Sequence, residues 1–382
     1  MDNKTDFLRR LPDSTEHFSR GESLWRKLHI DPLLLLLLLT LTGFGLFVLY
    51  SGSEQSMSMM KRQIAFYIIA YCAMFTIAQL DMKMLQRWSP WFYGFGIVML
   101  ILVYFIGVNA KGAQRWLSLG FIRFQPSEAL KIAVPVVVAA YFSSRVLPPK
   151  LKHIFWSLIL IAIPAVLILK QPDLGTAILI SASGVIVLFL AGLRWRYIFG
   201  SVAILAASLW PLWQFVLQPY QKQRVLTLFN PEADRLGAGW NTIQAKIAIG
   251  SGGFDGKGWL KGTQSQLDFL PESHTDFIIA VLAEEFGLLG VLWLIGLYLL
   301  IVARGLFIAL NAQTTFNRLL AGSLTLTFFV YVFVNIGMVA GLLPVVGVPL
   351  PLVSLGGTSL VTLMLAFGIL MAIATEKKKV AK

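Results

Sequence analysis

The chain contains one cysteine, four histidines and few charges, and each scarcity removes a class of protein. A lone Cys72 excludes an intrachain disulfide, and no Cys/His metal cluster can be assembled around it. Charged residues occupy 13% of the 382 positions and mean hydropathy is +0.74, far too apolar for a soluble globular protein of this length. Acidic residues number 19 against 32 Lys and Arg, giving a formal charge of +13 and a pI near 9.8. That excess does not describe a nucleic-acid binder, because the basic residues are scattered through short loops instead of lining one polar face. The glycine cluster at 250–259 has Ser251 and Gly258 where a P-loop needs Gly and Ser or Thr, and no strand precedes it. Nucleotide binding is excluded, and a dinucleotide fingerprint fails as well. The glycines instead permit tight turns and close backbone approach to a neighbour or ligand. No low-complexity tract or internal repeat is visible, so an inverted-repeat transporter is not indicated.

What the chain has is a series of apolar runs long enough to cross a hydrocarbon core of roughly 30 Å. They fall near 32–52, 62–80, 90–109, 126–144, 153–170, 174–193, 196–216, 276–303, 317–343 and 354–374. The expected fold is therefore an all-α polytopic membrane protein of about ten transmembrane helices. The first run is too long for a signal-peptide core and lacks a small-residue cleavage site, so it reads as a retained anchor. Basic residues cluster at alternate loops, and the positive-inside rule places both termini in the cytoplasm. Residues 1–31 form a polar tail, 32–216 hold helices 1–7, 274–374 hold helices 8–10, and 375–382 form a short tail. Between helices 7 and 8 lies a long extracytoplasmic loop, 217–273, too large to be a plain connector. Within it, Ile243, Ile247 and Ala248 are spaced as on an amphipathic helix, which predicts a segment lying on the bilayer surface.

Ionisable groups at helix ends or inside apolar segments are expensive and therefore candidates for function. Asp276 stands where the long loop runs into the eighth helix, beside Glu272 and His274. It can act as a helix-terminal stabiliser or, if desolvation outweighs the helix dipole, as a base. His274 can orient Asp276 or be an ordinary loop histidine. Glu128 and Lys131 follow Gln125–Pro126–Ser127 and share one helical face, as a structural ion pair or as groups pointing into a common cavity. Arg115 and Arg123 precede that helix and, with Lys131, can bind a pyrophosphate; equally, they can hold lipid headgroups or close loop salt bridges. Asp173 reads more readily as an N-cap than as a catalyst. Glu284, eight residues past Asp276, lies about 12 Å deeper on a similar face. It must be neutral or paired with a base, and it is assigned no catalytic role.

Six segments together carry a family resemblance: KGAQRWL at 111–117, QPSEALK at 125–131, QPDLGT at 171–176, QKQRV at 221–225, the run GSGGFDGKGWLKGTQSQLDFLPESHTDF at 250–277, and GVPLPLVSLGGTS at 347–359. In that order the chain resembles the SEDS family of membrane glycosyltransferases (shape, elongation, division and sporulation), and its HTDF region is more similar to the elongation branch than to the division branch. Leu355 departs from the aromatic Tyr common at that position. The resemblance implies ten transmembrane helices in the bacterial inner membrane and polymerisation of lipid II into peptidoglycan. Its implied partners are a class B penicillin-binding protein transpeptidase and other membrane proteins of the elongation complex, with no role for nucleic acid. It implies Asp276 as the catalytic carboxylate and Glu128 and Lys131 as cavity-lining groups. Gln223 and Arg224 would join them from the long loop. A divalent cation, Mg2+ or Mn2+, is a further expectation. The competing readings are a lipid II flippase, which needs a functional carboxylate near mid-membrane, an ion-coupled transporter, and a non-catalytic scaffold that tolerates loss of Asp276.

Overall fold

The computed structural model describes residues 24–110, 113–118, 123–231, 239–266 and 273–376. Three apolar helices come first: α1 (Pro32–Gly52), α2 (Met57–Ala78) and α3 (Met82–Ile106). A small antiparallel sheet follows, β1 (Val108–Ala110), β2 (Ala113–Ser118) and β3 (Arg123–Phe124), in the order β1-β2-β3. Next come α4 (Pro126–Ser143), α5 (Leu151–Leu169), α6 (Leu174–Leu190) and α7 (Trp195–Pro211). The long loop holds α8 (Pro219–Phe229) and α9 (Trp240–Gly252), after which α10 (Ile278–Asn311), α11 (Thr315–Val339) and α12 (Thr358–Thr375) complete the bundle. Among the described residues, seven helices (α1, α3, α4, α5, α10, α11 and α12) are long and apolar enough to cross a membrane, so the chain is a multi-pass membrane protein.

Helix starts follow local chemistry. Asp31 caps α1 by accepting from the Leu34 N–H at 2.9 Å, with Pro32 at the first helical position. The same carboxylate receives Arg304 of α10 through Nε at 3.2 Å and through Nη2, tying two distant helices at one end of the bundle. α4 and α11 are the most buried helices; α11 packs against α4, α6 and α10. The second and third helices begin at Met57 and Met82, earlier than the apolar runs near 62 and 90 suggest, because polar first turns mask their starts. The sheet at 108–124 carries no periodic signal at strand lengths of two to six residues.

α10 is one apolar run in sequence but two helical pieces in space, broken at Gly287 (φ 62, ψ −160). A break inside an apolar bundle leaves backbone groups that water cannot reach, and each needs a protein partner. The glycine-rich segment of the long loop supplies them. Lys257 N and Gly258 N donate to the Glu284 and Glu285 carbonyls at 3.0 and 2.9 Å, while Leu288 N and Leu289 N donate to the Gly253 and Phe254 carbonyls at 3.0 and 3.3 Å. This approach requires glycine: a Cβ at Gly252 would meet the Ala283 carbonyl oxygen, and one at Gly287 would meet Gly256 N and Phe254 O.

Two carboxylates lock the same segment. Glu284 is fully buried, and its Oε1 accepts from Lys257 Nζ (2.8 Å), Thr263 N (2.7 Å) and Gln264 N (2.9 Å). Glu285, also fully buried, accepts from Leu260 N at 3.1 Å and from Ser51 Oγ of α1. Glu284 thus pairs with a base and serves the fold, as a buried charge must.

The amphipathic helix expected within 240–249 is α9. Its inward face is Ala245, Ala248 and Gly252 packed against α10, while Ile247 is exposed. Close backbone contact, not a large apolar stripe, decides which face is buried.

Gly287→Ala imposes both a left-handed backbone on a Cβ-bearing residue and a collision with backbone atoms. It should lower unfolding stability by about 1–3 kcal/mol. Gly296→Ala, with open space around its Cβ, should not. Thermal and denaturant unfolding of the detergent-purified protein checks the pair.

Candidate active site

Asp276 lies one residue before the α10 N-cap, in a turn spanning 273–277, and not within the helix as the sequence suggested. Four successive residues of this turn are held by four different partners. Ser273 Oγ donates to the Gly52 carbonyl at the end of α1, 2.9 Å away. The His274 carbonyl accepts from Leu355 N at 2.9 Å, and the Thr275 carbonyl accepts from Ser354 Oγ. The Asp276 carbonyl accepts from Nδ2 of Asn335 in α11 at 3.0 Å; the same amide nitrogen donates to Val348 O at 2.6 Å.

The loop that supplies Val348, Ser354 and Leu355 connects α11 to α12 and is itself non-helical and largely buried. Its carbonyls are satisfied in the same fashion. Tyr298 Oη of α10 donates to Pro351 O at 2.6 Å, Tyr67 Oη of α2 to Leu352 O at 2.8 Å, and Gln63 Nε2 of α2 to Ser354 O at 3.3 Å. Gly45 of α1 lacks the Cβ that would strike the Leu352 carbonyl and Val353. Gly347 (φ 74) lies beside the Asp276 carboxylate, with a Cβ position 3.5 Å from Oδ2. Small residues and side-chain donors therefore let irregular backbone occupy the interior.

Asp276 opens onto a cavity of about 880 Å³. Four cationic side chains line it, Arg62, Arg115, Lys131 and Arg224, against three carboxylates, Glu128, Asp173 and Asp276. Lys131 Nζ donates to Glu128 Oε1 at 2.6 Å and lies 5.0 Å from the ring centroid of Tyr331. Asp173 caps α6 through Thr176 N at 3.2 Å; Arg115 Nε lies 3.7 Å from its Oδ2, and the Arg115 guanidinium also donates to the Gln171 and Pro172 carbonyls. The cap and the cavity position thus coincide at Asp173. Away from the charges, Leu363, Ala366, Phe367 and Leu370 continue the lining along one face of α12, with Leu324 and Phe328 opposite. The chamber is polar at one end and apolar at the other.

Of the residues singled out from sequence, Asp276, Arg115, Glu128, Lys131 and Arg224 share this cavity. Gln223 is on the exposed side of α8 and His274 is half-buried in the turn; neither is in the lining. Arg123 belongs to β3, and its side chain lies outside the described residues, as do Glu272 and residues 267–271. Arg62, Tyr331 and Asn335 were not anticipated. The signal for Asn335 is an amide within the apolar last turns of a 25-residue helix.

Among the described residues no three His, Cys, Asp or Glu side chains converge as a metal cage. Glu128 is committed to Lys131 and Asp173 to its cap and Arg115, so the donor set does not fit a protein-built cation site.

A family model described as cell cycle protein, covering FtsW, RodA and SpoVE, matches residues 32–379. The peptidoglycan glycosyltransferase MrdB of Escherichia coli K12 is 54% identical over 361 residues, covering 94% of this chain and 98% of that protein. A probable peptidoglycan glycosyltransferase FtsW of Trichlorobacter lovleyi is 36% identical, over 93% of this chain and 95% of its own. Among solved structures, a chain from a peptidoglycan synthase complex that coordinates polymerization and crosslinking superposes with a TM-score of 0.79 at 29% identity, covering 90% of this chain and 97% of that one. The rod shape determining protein RodA of Thermus thermophilus gives 0.70 at 26%, covering 91% and 98%.

Asn335→Leu would leave the Asp276 and Val348 carbonyls buried without their donor. At about 1–3 kcal/mol for each orphaned group, its unfolding stability should fall measurably below wild type while Gln223→Ala, on the exposed face of α8, leaves it unchanged. Chemical denaturation in detergent reads both.

Proposed function

The chain belongs to the FtsW/RodA/SpoVE family of cell cycle proteins, and we propose that it is the peptidoglycan glycosyltransferase its 54%-identical relative is named for, polymerising lipid II. The observation that carries this reading is a carboxylate, Asp276, fixed by its backbone at the mouth of a chamber that is cationic at one end and apolar at the other. A lipid-linked pyrophosphate donor has those two requirements.

In this reading the ten long apolar segments cross the inner membrane with both termini cytoplasmic, and 217–273 is the outer loop that roofs the cavity through α8 and Arg224. Asp276 accepts the proton of the acceptor sugar's 4-hydroxyl as that oxygen attacks the anomeric carbon of the donor. The undecaprenyl pyrophosphate departs with the bonding pair, so no general acid is needed. Its charge is met by Arg115, Lys131, Arg224 and Arg62, with Glu128 holding Lys131 in place. A single displacement inverts an α-linked donor to a β-linked product, unlike the paired-carboxylate chemistry of glycoside hydrolysis. The apolar face of α12 receives part of an isoprenoid chain. His274 contributes through its backbone. Mg2+ or Mn2+, if engaged, is carried by the pyrophosphate and not by a cage of protein ligands. A class B penicillin-binding protein crosslinks the strands produced, alongside other elongation-complex proteins.

The flippase alternative needs a working carboxylate deep in the bundle. Glu284 and Glu285, the buried carboxylates of α10, are instead occupied in holding the 253–264 segment.

The test is glycan-chain formation from purified lipid II by the protein with its cognate transpeptidase. Asp276→Asn should lower the rate by about 10²–10⁴-fold with folding and complex formation intact; equal polymer from both would remove the base role. Lys131→Ala and Arg224→Ala should impair polymerisation without loss of fold, and normal turnover in either would exclude that residue from the site.

A further inference from the structure

The end of the bundle opposite Asp276 carries a second concavity that the reaction does not use. α3 begins at that end and runs to the sheet beside the main cavity, and α4 returns from Glu128 to finish there at Ser143. Between α3, α4 and α5 lies a groove of about 530 Å³ whose wall includes Lys83, Arg87, Tyr141 and Leu160.

Prolines shape this groove, and its backbone is already satisfied. Pro90 cannot donate to the Gln86 carbonyl four residues earlier, and Ser89 Oγ donates to it instead at 2.8 Å. Pro164 likewise frees the Leu160 carbonyl, which accepts from Tyr93 Oη of α3 at 2.7 Å. An occupant is therefore not required by any orphaned carbonyl. What the groove offers outward is positive charge. Lys83 and Arg87 are exposed, and among the described residues neither has a carboxylate partner. Asp81 is the one acidic residue in 79–91 and 143–153, and its Oδ1 accepts from the Lys83 backbone N–H at 2.9 Å as a helix cap. Arg145 is occupied elsewhere, stacked 3.7 Å from the Tyr141 ring centroid and donating to His153.

The flanks are equally informative. Trp88 and Trp91 of α3 are 49% and 74% exposed, the amphipathic rings that favour a headgroup region, and Phe95 and Leu158 continue apolar surface toward the bilayer interior. A soluble anion gains nothing from such surroundings, whereas a molecule with a phosphate at one end and acyl chains at the other uses all of them.

We propose that this groove is a binding site for the phosphate headgroup of an anionic phospholipid in the leaflet opposite Asp276, with Lys83 and Arg87 as its ligands. Occupancy would join α3 to the ends of α4 and α5; the other end of α4 carries Glu128 and Lys131, and the other end of α5 leads into Asp173, the cap of α6.

The experiment is native mass spectrometry of the full-length protein released from phosphatidylcholine nanodiscs containing graded phosphatidylglycerol. Wild type should retain phosphatidylglycerol over phosphatidylcholine. The Lys83→Gln, Arg87→Gln double variant should lose about thirtyfold in that retention, the factor expected from removing two basic residues near a membrane surface. Arg194→Gln, Arg196→Gln, placed at the same end of the bundle but outside the groove, should retain the lipid as wild type does. Matching melting temperatures establish that the exposed substitutions leave the fold intact. Equal loss in both double variants would reduce the effect to general surface charge and overturn the site. So would the absence of lipid preference in wild type, or displacement of the bound lipid by millimolar inorganic phosphate.

Discussion

Irregular backbone inside an apolar bundle is the constraint on which this molecule depends. Neither the turn bearing Asp276 nor the 344–357 loop beside it is helical, so carbonyls along both need partners from outside their own segments. Asn335, Tyr298, Tyr67 and Gln63 reach from three helices to accept that burden, and Ser354 and Leu355 close the two irregular segments onto each other. The Asp276 carboxylate is thereby placed through its main chain. Its side chain remains directed by a backbone that four partners fix.

The break in α10 applies the same rule a second time. Once Gly287 leaves helical geometry, the freed groups on either side require partners, and the glycine-rich segment from Gly252 to Gly258 is the part of the chain thin enough to supply them. Glu284 and Glu285 then anchor the far part of that segment. These two buried carboxylates and the cluster of glycines have one explanation, a loop threaded onto a broken helix. The long loop is fastened to the same helix that begins beside Asp276.

Much of this was legible because charge is scarce. In a chain with 13% charged residues, Glu128, Lys131, Asp173, Arg115, Arg224 and Asp276 stand out at apolar boundaries, and all six line one cavity. Asn335 does not stand out in this way because an amide carries no charge, although its position inside an apolar helix is a usable signal. Arg62 stands at the edge of the apolar run near 62–80, where its sequence position alone does not separate a loop charge from a helix residue; with α2 beginning at Met57 it belongs to the helix. Gln223 illustrates the limit of motif reading: one residue before Arg224, it is rotated about a quarter turn around α8 and is exposed. The break at Gly287 was hidden because a glycine within a continuous apolar run has no distinctive pattern, and the packing of α9 on α10 was hidden because small residues, not large ones, mark a close backbone contact.

The central claim is that Asn335 serves the reaction by placing Asp276. Glycan formation from purified lipid II by Asp276→Asn, Asn335→Ala and the double variant, each shown to be folded and bound to its transpeptidase, tests it as a thermodynamic cycle. The account predicts that Asn335→Ala slows polymerisation in the Asp276 background and costs nothing further once Asp276 is Asn. Multiplicative losses in the double variant would contradict it, because Asn335 would then act independently of the carboxylate it holds.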